Sequence, residues 1–443
     1  MKKYIFSLVG LLTAAQFSYG QATIYPAKPQ SKPIAIIGAT IHTGTGKVIE
    51  NGYISFENGK ITGIGDAAIV KFGSGTELIS ANGKHVYPGF ISPVTNLGLT
   101  EIEAIRATRD FQEVGDINPH VRSIIAYNTD SKVPNTLRSN GILLAQITPL
   151  GGLISGQSSV VELDGWNWED ASYKTDVAVH LNWPSSRISA SPFAPPAETQ
   201  RERAQKAMSE LENYFAQAQG YAQLAKPDVI NARFDAMAGL YNGSKKLFVE
   251  TESSKDVIAA VNFFKRYGIK PVIVGGSEAH LITSFLKDND ISIIIHEPHT
   301  LPDRVGDDVY MPYKQAKVLH DAGIKFAISV NGYWQQRNLP FMAGTAAAYG
   351  LDKELALAAI TLNTAKILGI DKTTGSLEVG KDATLFVSNG DALDMLGNDV
   401  ETAFIRGKNL DLDNLHKQLF KRYSEKYDGE TIRTREMDLG NKK

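Results

Sequence analysis

Residues 359–369 read AITLNTAKILG and residues 375–383 read GSLEVGKDA, and this stretch decides the fold. Its first part completes a helical pattern over residues 353–368 and predicts a helix that ends at Gly369, where glycine readily takes a left-handed conformation. Gly380, before Lys381 and Asp382, predicts a tight turn into the strands that follow. The stretch therefore marks the passage from a helical region into β-structure.

Eight apolar, strand-like runs precede that helix, and helical stretches lie between them. This alternation predicts parallel βα units, and eight strands close a barrel. The fold class is therefore predicted as α/β, a (β/α)₈ TIM barrel over residues 89–369. A charged, alanine-rich segment at 197–225 is predicted as a solvated outer helix. The predicted strands are 89–94, 141–148, 158–163, 176–181, 247–251, 271–275, 291–296 and 325–330.

Short β-like runs flank the barrel on both sides. An Asn-Gly pair at Asn58 and Gly59 separates two of the N-terminal runs and predicts a hairpin. Further runs at 383–387 and 403–405 predict strands after the barrel. Residues 33–88 and 370–410 are therefore predicted to form one composite β-sandwich domain. Residues 411–443 are predicted as a terminal helix and tail.

The N-terminus has the pattern of a secretory signal. Lys2 and Lys3 precede an apolar run at 4–15, and small residues stand at Ser18 and Gly20. Residues 1–20 are predicted as a cleavable signal peptide and 21–32 as a linker, so we expect a periplasmic or secreted protein. Apart from this run, which is too short to span a bilayer, the sequence predicts no membrane span. The chain has no cysteine and a net charge of −2, which excludes disulfides and argues against nucleic acid as a partner.

Several motifs together resemble one enzyme family. They are the passage 359–383, the junction YPGFI at 87–91, and the segments GGLISGQ at 151–157, GGSEA at 275–279 and RNLPF at 337–341. The sequence is similar to the amidohydrolase superfamily, nearest to its imidazolonepropionase-related branch. The resemblance implies a metal-dependent hydrolase of C–N bonds in small cyclic amides or peptide-like substrates.

The positions that hold the metal in this family are altered. The family pattern Ile-Asp-x-His-x-His falls on residues 91–96, so valine and asparagine stand where two histidines are expected. Valine has no donor atom, and the asparagine at the position of the family's proton-accepting aspartate cannot take a proton at neutral pH. A degenerate site is expected, with no bound cofactor, or with a divalent metal such as zinc if activity is retained. The five family positions are Val94, Asn96, Glu250, Gly275 and Asn331.

Other side chains near the predicted strand ends could rebuild a site. They admit two interpretations: a displaced metal or acid–base centre, or loop and core residues satisfied by hydrogen bonds, and the second is favoured. The candidate pocket residues are Glu250, Glu278, His296, His299 and Asn331.

Three functions remain open on the sequence. The chain is a C–N hydrolase with impaired or lost activity, a non-catalytic protein that binds a small molecule or a partner, or a structural subunit of an exported complex. An intact scaffold with altered ligands favours association, either as a homo-oligomer or with a catalytically active amidohydrolase. Leu412, Leu415, Leu419 and Tyr423 recur at helical spacing and are the first candidate for that interface.

Overall fold

The structure, a computed structural model, describes residues 24–224, 227–302 and 306–427. The predicted signal peptide and the end of the predicted tail lie outside these ranges. Two eight-stranded sheets organise the described chain, one in the barrel and one in a smaller β-unit. Within the described ranges, no helix combines the length and the apolar character that a membrane span requires.

The first sheet is a nearly closed barrel in which neighbouring strands follow chain order. Its two edge strands are not paired with each other within the described ranges; the amide of Ile91 donates instead to the carbonyl of Ile360 (2.9 Å). The predicted TIM-barrel class is confirmed. The barrel strands are β6 (Phe90–Thr95), β7 (Ile142–Ile147), β8 (Ile154–Glu162), β9 (Ser172–Asn182), β10 (Lys246–Thr251), β11 (Pro271–Gly275), β12 (Ile293–Ile295) and β13 (Phe326–Ile328).

The third barrel strand departs from the prediction, because β8 runs antiparallel to both β7 and β9. The reason lies in the connections. Residues 148–153 join β7 to β8, whereas a parallel crossover needs a dozen or more residues. The expectation of eight parallel strands was therefore wrong at this strand. As a result, Glu162 at the end of β8 lies at the amino-terminal rim of the barrel, where it pairs with Arg406 (2.7 Å) and Lys408 (3.3 Å).

An apolar layer fills the barrel interior. Every strand contributes a buried side chain to one cluster, formed by Ile91, Leu144, Val160, Ala178, Phe248, Val272, Ile294 and Ala327. Because side chains alternate between the two faces of a strand, the residue two positions further on points into the same interior. On five of the strands this next inward-pointing residue is polar, namely Gln146, His180, Glu250, His296 and Ser329. A polar layer therefore covers the apolar one at the carboxyl-terminal mouth.

The helices lie on the outside of the barrel and after it. The predicted helix over 353–368 is interrupted, because Thr361 leaves the helical conformation and its buried hydroxyl donates to the carbonyl of Leu357 (2.7 Å). Gly369 ends the second part in the left-handed conformation, as predicted. The helices are α1 (Lys132–Arg138), α2 (Trp168–Ala171), α3 (Ala197–Ala222), α4 (Ala232–Tyr241), α5 (Ser254–Lys265), α6 (Thr283–Asp288), α7 (Met311–Asp321), α8 (Leu339–Ala348), α9 (Lys353–Ala359), α10 (Leu362–Leu368) and α11 (Leu415–Lys426).

The second sheet is built from both ends of the chain, since strand β5 (His85–Pro88) pairs with strand β14 (Leu385–Ser388). The rings of Phe56 and Phe404 lie 5.0 Å apart although three strands separate theirs in the sheet. The sheet must therefore curl over its own apolar core. Its strands are β1 (Ile34–His42), β2 (Val48–Glu57), β3 (Lys60–Asp66), β4 (Glu77–Ser80), β5 (His85–Pro88), β14 (Leu385–Ser388), β15 (Val400–Ile405) and β16 (Lys408–Asn409).

Candidate functional site

Two carboxylates and one imidazole meet at the barrel mouth, and we call Glu250, Glu252 and His296 the Glu–Glu–His cluster. One ligand atom from each lies within 4.8 Å of the others. The Nε2 atom of His296 is 2.8 Å from Oε1 of Glu250 and 3.4 Å from Oε1 of Glu252. Its Nδ1 atom lies 3.4 Å from the hydroxyl of Ser329. These three side chains are the only ones within the described ranges that converge with metal-ligand spacing.

A glycine makes this convergence possible. Strand β11 lies between β10, which ends in Glu250 and Thr251, and β12, which His296 follows. At the end of β11 stands Gly275, with a φ of 89°; a Cβ atom added there would lie 2.5 Å from Oε1 of Glu252. Because no side chain fills this space, the Glu252 carboxylate can occupy it and reach His296.

The charges of the cluster are strongly coupled. Burial by itself lowers the pKa of His296, but its hydrogen bond to Glu250 and the charges of Glu250, Glu252 and Glu297 raise it to about 9. Burial raises the pKa of Glu252, partly offset by His296 and by the amide of Ser277, which donates to this carboxylate (2.9 Å). Without a cation, His296 is therefore the positive partner of the two carboxylates.

A small cavity of about 60 Å³ opens beside the cluster. Glu252 and His296 form part of its wall together with Glu297, and Gln315 donates to the carbonyl of Gly276 (2.7 Å) behind it. Apolar side chains, among them Leu301 and Met311, also line the cavity. The cavity can receive a small polar group next to the cluster.

A second polar group supports the mouth from beneath. His180 accepts or donates a hydrogen bond with Ser158 (2.7 Å), and Gln146 donates to the same hydroxyl (2.9 Å). The carboxamide oxygen of Gln146 also accepts from the amide of Val94 (3.2 Å). Complete burial lowers the pKa of His180 to about 3, so this imidazole is neutral.

The family's metal positions are brought to the mouth without forming a ligand set. Val94 offers only its backbone, with a φ of 51°. The carboxamide of Asn96 donates to Thr100 (3.0 Å), and the amide of Asn331 donates to Glu297 (2.9 Å). Of the five positions, only Glu250 belongs to the cluster, and Gly275 acts through the space that it leaves.

The other predicted pocket residues lie in three different environments. His296 lies in the cluster. Glu278 lines the same cavity but is committed to Arg187 (2.7 Å) and to the amide of Ser254 (2.9 Å). His299 contacts the hydroxyl of Thr345 on helix α8 (2.6 Å).

Glu252 was missed by the sequence interpretation. The sequence held a signal for it, because Glu250 and Glu252 are two positions apart at the end of a strand, and alternate residues of a strand share a face.

The donor set decides whether a family metal fits. The five family positions cannot hold the metal, since valine, glycine and two asparagine amides replace four of the expected ligands. The Glu–Glu–His cluster does fit, because carboxylate oxygens and an imidazole nitrogen are common ligands of zinc and manganese. Three protein ligands leave a further coordination position for water or substrate.

Comparisons with known proteins agree with this architecture. Residues 313–410 match the model of the amidohydrolase family. A 5-methylthioadenosine/S-adenosylhomocysteine deaminase of Moorella thermoacetica is 24% identical over 239 residues, covering 44% of this chain and 55% of the deaminase. The chain thus spans about half the length of this curated relative.

Solved structures share the fold. An amidohydrolase from Thermotoga maritima superposes with a TM-score of 0.72 at 21% identity, over 85% of this chain and 99% of the other. A zinc-bound adenosine deaminase from Xanthomonas campestris gives a TM-score of 0.52 at 15% identity, over 92% of this chain and 100% of the other. Residues 313–410 are therefore similar to the amidohydrolase family, and the barrel has the fold of these solved structures.

Proposed function

We propose that this protein hydrolyses C–N bonds in small amide-like substrates with the help of one divalent cation held by Glu250, Glu252 and His296. The observation that carries the proposal is the convergence of these three ligand atoms within 4.8 Å at the mouth of the barrel. In TIM barrels this face is where catalytic residues gather. The names of two similar proteins, both deaminases, point to the same class of bond.

The chemistry divides between the cation and the chain. A divalent cation at this place would supply a Lewis acid that polarises the scissile carbonyl and activates water. The chain orients the ligands: the Ser277 amide fixes Glu252, and the barrel strands fix Glu250 and His296. The cavity beside the cluster can receive the reacting amide group.

Proton transfer needs a base other than residue 331, because the carboxamide of Asn331 cannot accept a proton at neutral pH. Glu297 is a carboxylate of the cavity wall that follows His296 in the chain and is not part of the cluster, and the backbone amide of Asn331 donates to one of its oxygens (2.9 Å). We assign the role of general base to Glu297. With a displaced metal and a displaced base, the proposed activity is slow for this family.

A second candidate function is non-catalytic binding, and the replacement of histidines by Val94 and Asn96 favours it. In that case the mouth would bind a small molecule, or the barrel would serve a catalytically active relative. Pairing with such a relative stays a prediction, as does export through the N-terminal segment.

The test is hydrolysis measured with and without added metal. A panel of N-acyl amino acids, dipeptides and cyclic amides is incubated with the protein after chelation and after addition of Zn²⁺ or Mn²⁺. We expect metal to restore a rate that Glu252→Gln lowers by about 100-fold or more, because removal of a ligand costs at least as much as loss of an outer partner of a metal site. Glu113→Gln, on an exposed loop, is the matched control. A rate indifferent to metal and to Glu252→Gln, or no rate on any substrate, would favour the binding function.

A further inference from the structure

The terminal helix α11 leaves an apolar face uncovered. The helix is attached at its start, where the buried Asn414 caps it (Oδ1 to the Lys417 amide, 3.0 Å) and donates to Ser139 (2.8 Å). His416 packs against Trp334 at 5.5 Å. None of the residues of α11 is buried. The described part of the chain therefore anchors one end of the helix and covers little of the rest.

The uncovered side chains fall on one side. At 3.6 residues per turn they occupy an arc of about 140°. Three of them are strongly exposed, at 69% for Phe420, 51% for Tyr423 and 57% for Tyr427 directly after the helix. The apolar face is formed by Leu415, Leu419, Phe420, Tyr423 and Tyr427.

Basic residues lie at one edge of this face and on the far side of the helix. At 100° per residue, Arg422 and Lys426 lie at the edge marked by Leu415, whereas Lys417 and Lys421 lie on the opposite side. The Arg422 guanidinium lies 5.9 Å from the ring centre of Tyr423, and the Lys426 ammonium 5.0 Å from that of Tyr427. The helix carries one acidic residue against these four, although the whole chain has a net charge of −2. The helix that carries the exposed apolar face is thus itself positively charged.

We propose that α11 binds the surface of an anionic lipid membrane, with its apolar face in the headgroup region and with Arg422 and Lys426 at its edge on the lipid phosphates. A helix with an apolar face and a polar face rich in lysine and arginine has the pattern of helices that lie in a membrane interface. The long basic side chains can cover apolar surface and still reach the headgroups. A second copy of this chain fits less well, because it offers no negative charge to Arg422 and Lys426 when two such faces pair.

The test uses the absence of cysteine from the chain, which makes any introduced cysteine a unique labelling site. Phe420→Cys and the control Phe193→Cys, at a 97% exposed position outside α11, are labelled with a polarity-sensitive nitrobenzoxadiazole dye. Vesicles of phosphatidylglycerol and phosphatidylcholine in equal parts are compared with pure phosphatidylcholine. We expect a blue shift and stronger emission for the label at 420 on anionic vesicles, and no change for the label at 193.

The charge dependence is tested separately. Each basic residue near an anionic surface contributes about fivefold to binding, so Arg422→Gln with Lys426→Gln should weaken binding by about 25-fold. Arg201→Gln with Lys206→Gln, on the exposed helix α3, is the control of equal charge and should leave binding unchanged. The proposal is overturned if the label at 420 does not respond to anionic vesicles or responds equally to neutral ones. A response that depends on protein concentration without lipid would also overturn it, since a second copy would then cover the face.

Discussion

His180 should make the protein less stable in acid, and the size of the effect follows from its burial. The imidazole lies inside the barrel with Ser158 as its partner, and its pKa is lowered to about 3 in the folded chain. In the unfolded chain the pKa returns to about 6.5. Below pH 6.5 the unfolded chain therefore binds a proton that the folded chain refuses, so the free energy of unfolding falls as the pH falls.

At pH 5 the pKa of His180 in the unfolded chain lies about one and a half units above the pH, which lowers the free energy of unfolding by about 2 kcal/mol. His180→Gln removes the titration while keeping a polar side chain. The assay is urea denaturation of both proteins between pH 8 and pH 5. We expect the difference between their unfolding free energies to shift by about 2 kcal/mol in favour of the variant as the pH falls. A difference that stays constant within about 0.5 kcal/mol, the usual scatter for additive effects, would refute the reasoning.

Two further predictions concern the scaffold and the cluster. Arg138→Met breaks a fully buried ion pair with Asp164 (3.0 Å) and should lower the free energy of unfolding by about 3–5 kcal/mol in urea denaturation. The control Arg201→Met breaks the exposed pair with Glu198 and should lower it by less than about 1 kcal/mol. Equal losses in the two variants would contradict the argument. Gly275→Ala and Gly243→Ala both place alanine at a positive φ and should each cost about 1 kcal/mol. Only Gly275→Ala should also weaken zinc binding in a calorimetric titration, because its Cβ atom displaces the Glu252 carboxylate. A Cβ atom at position 243 has no other atom within 4 Å, so the control should bind zinc normally. Unchanged zinc affinity in Gly275→Ala would contradict the proposed role of this glycine.

The fold could be predicted further than the site. Apolar runs mark where strands lie, and all eight barrel strands stand near the predicted runs. An apolar run does not encode strand direction, however, and the direction of β8 was missed for that reason. The short segment 148–153 before it held the information, because it leaves no room for a crossover.

The cluster depends on three strands at once, which a single sequence does not align in space. Glu250 was identified from its family position and His296 from its place after a strand. Their contact, and the part of Glu252 in it, also require that Gly275 on the intervening strand lack a side chain. No spacing along the sequence specifies that juxtaposition.

The central claim is that Glu250, Glu252 and His296 hold one divalent cation, and metal content tests it most directly. The purified protein is incubated with Zn²⁺, dialysed, and measured by inductively coupled plasma mass spectrometry beside Glu252→Gln, His296→Gln and the exposed control Glu113→Gln. The account predicts about one zinc per chain in the parent protein and in the control, and far less in the two cluster variants. Zinc absent from the parent protein, or retained equally by all four proteins, would contradict it.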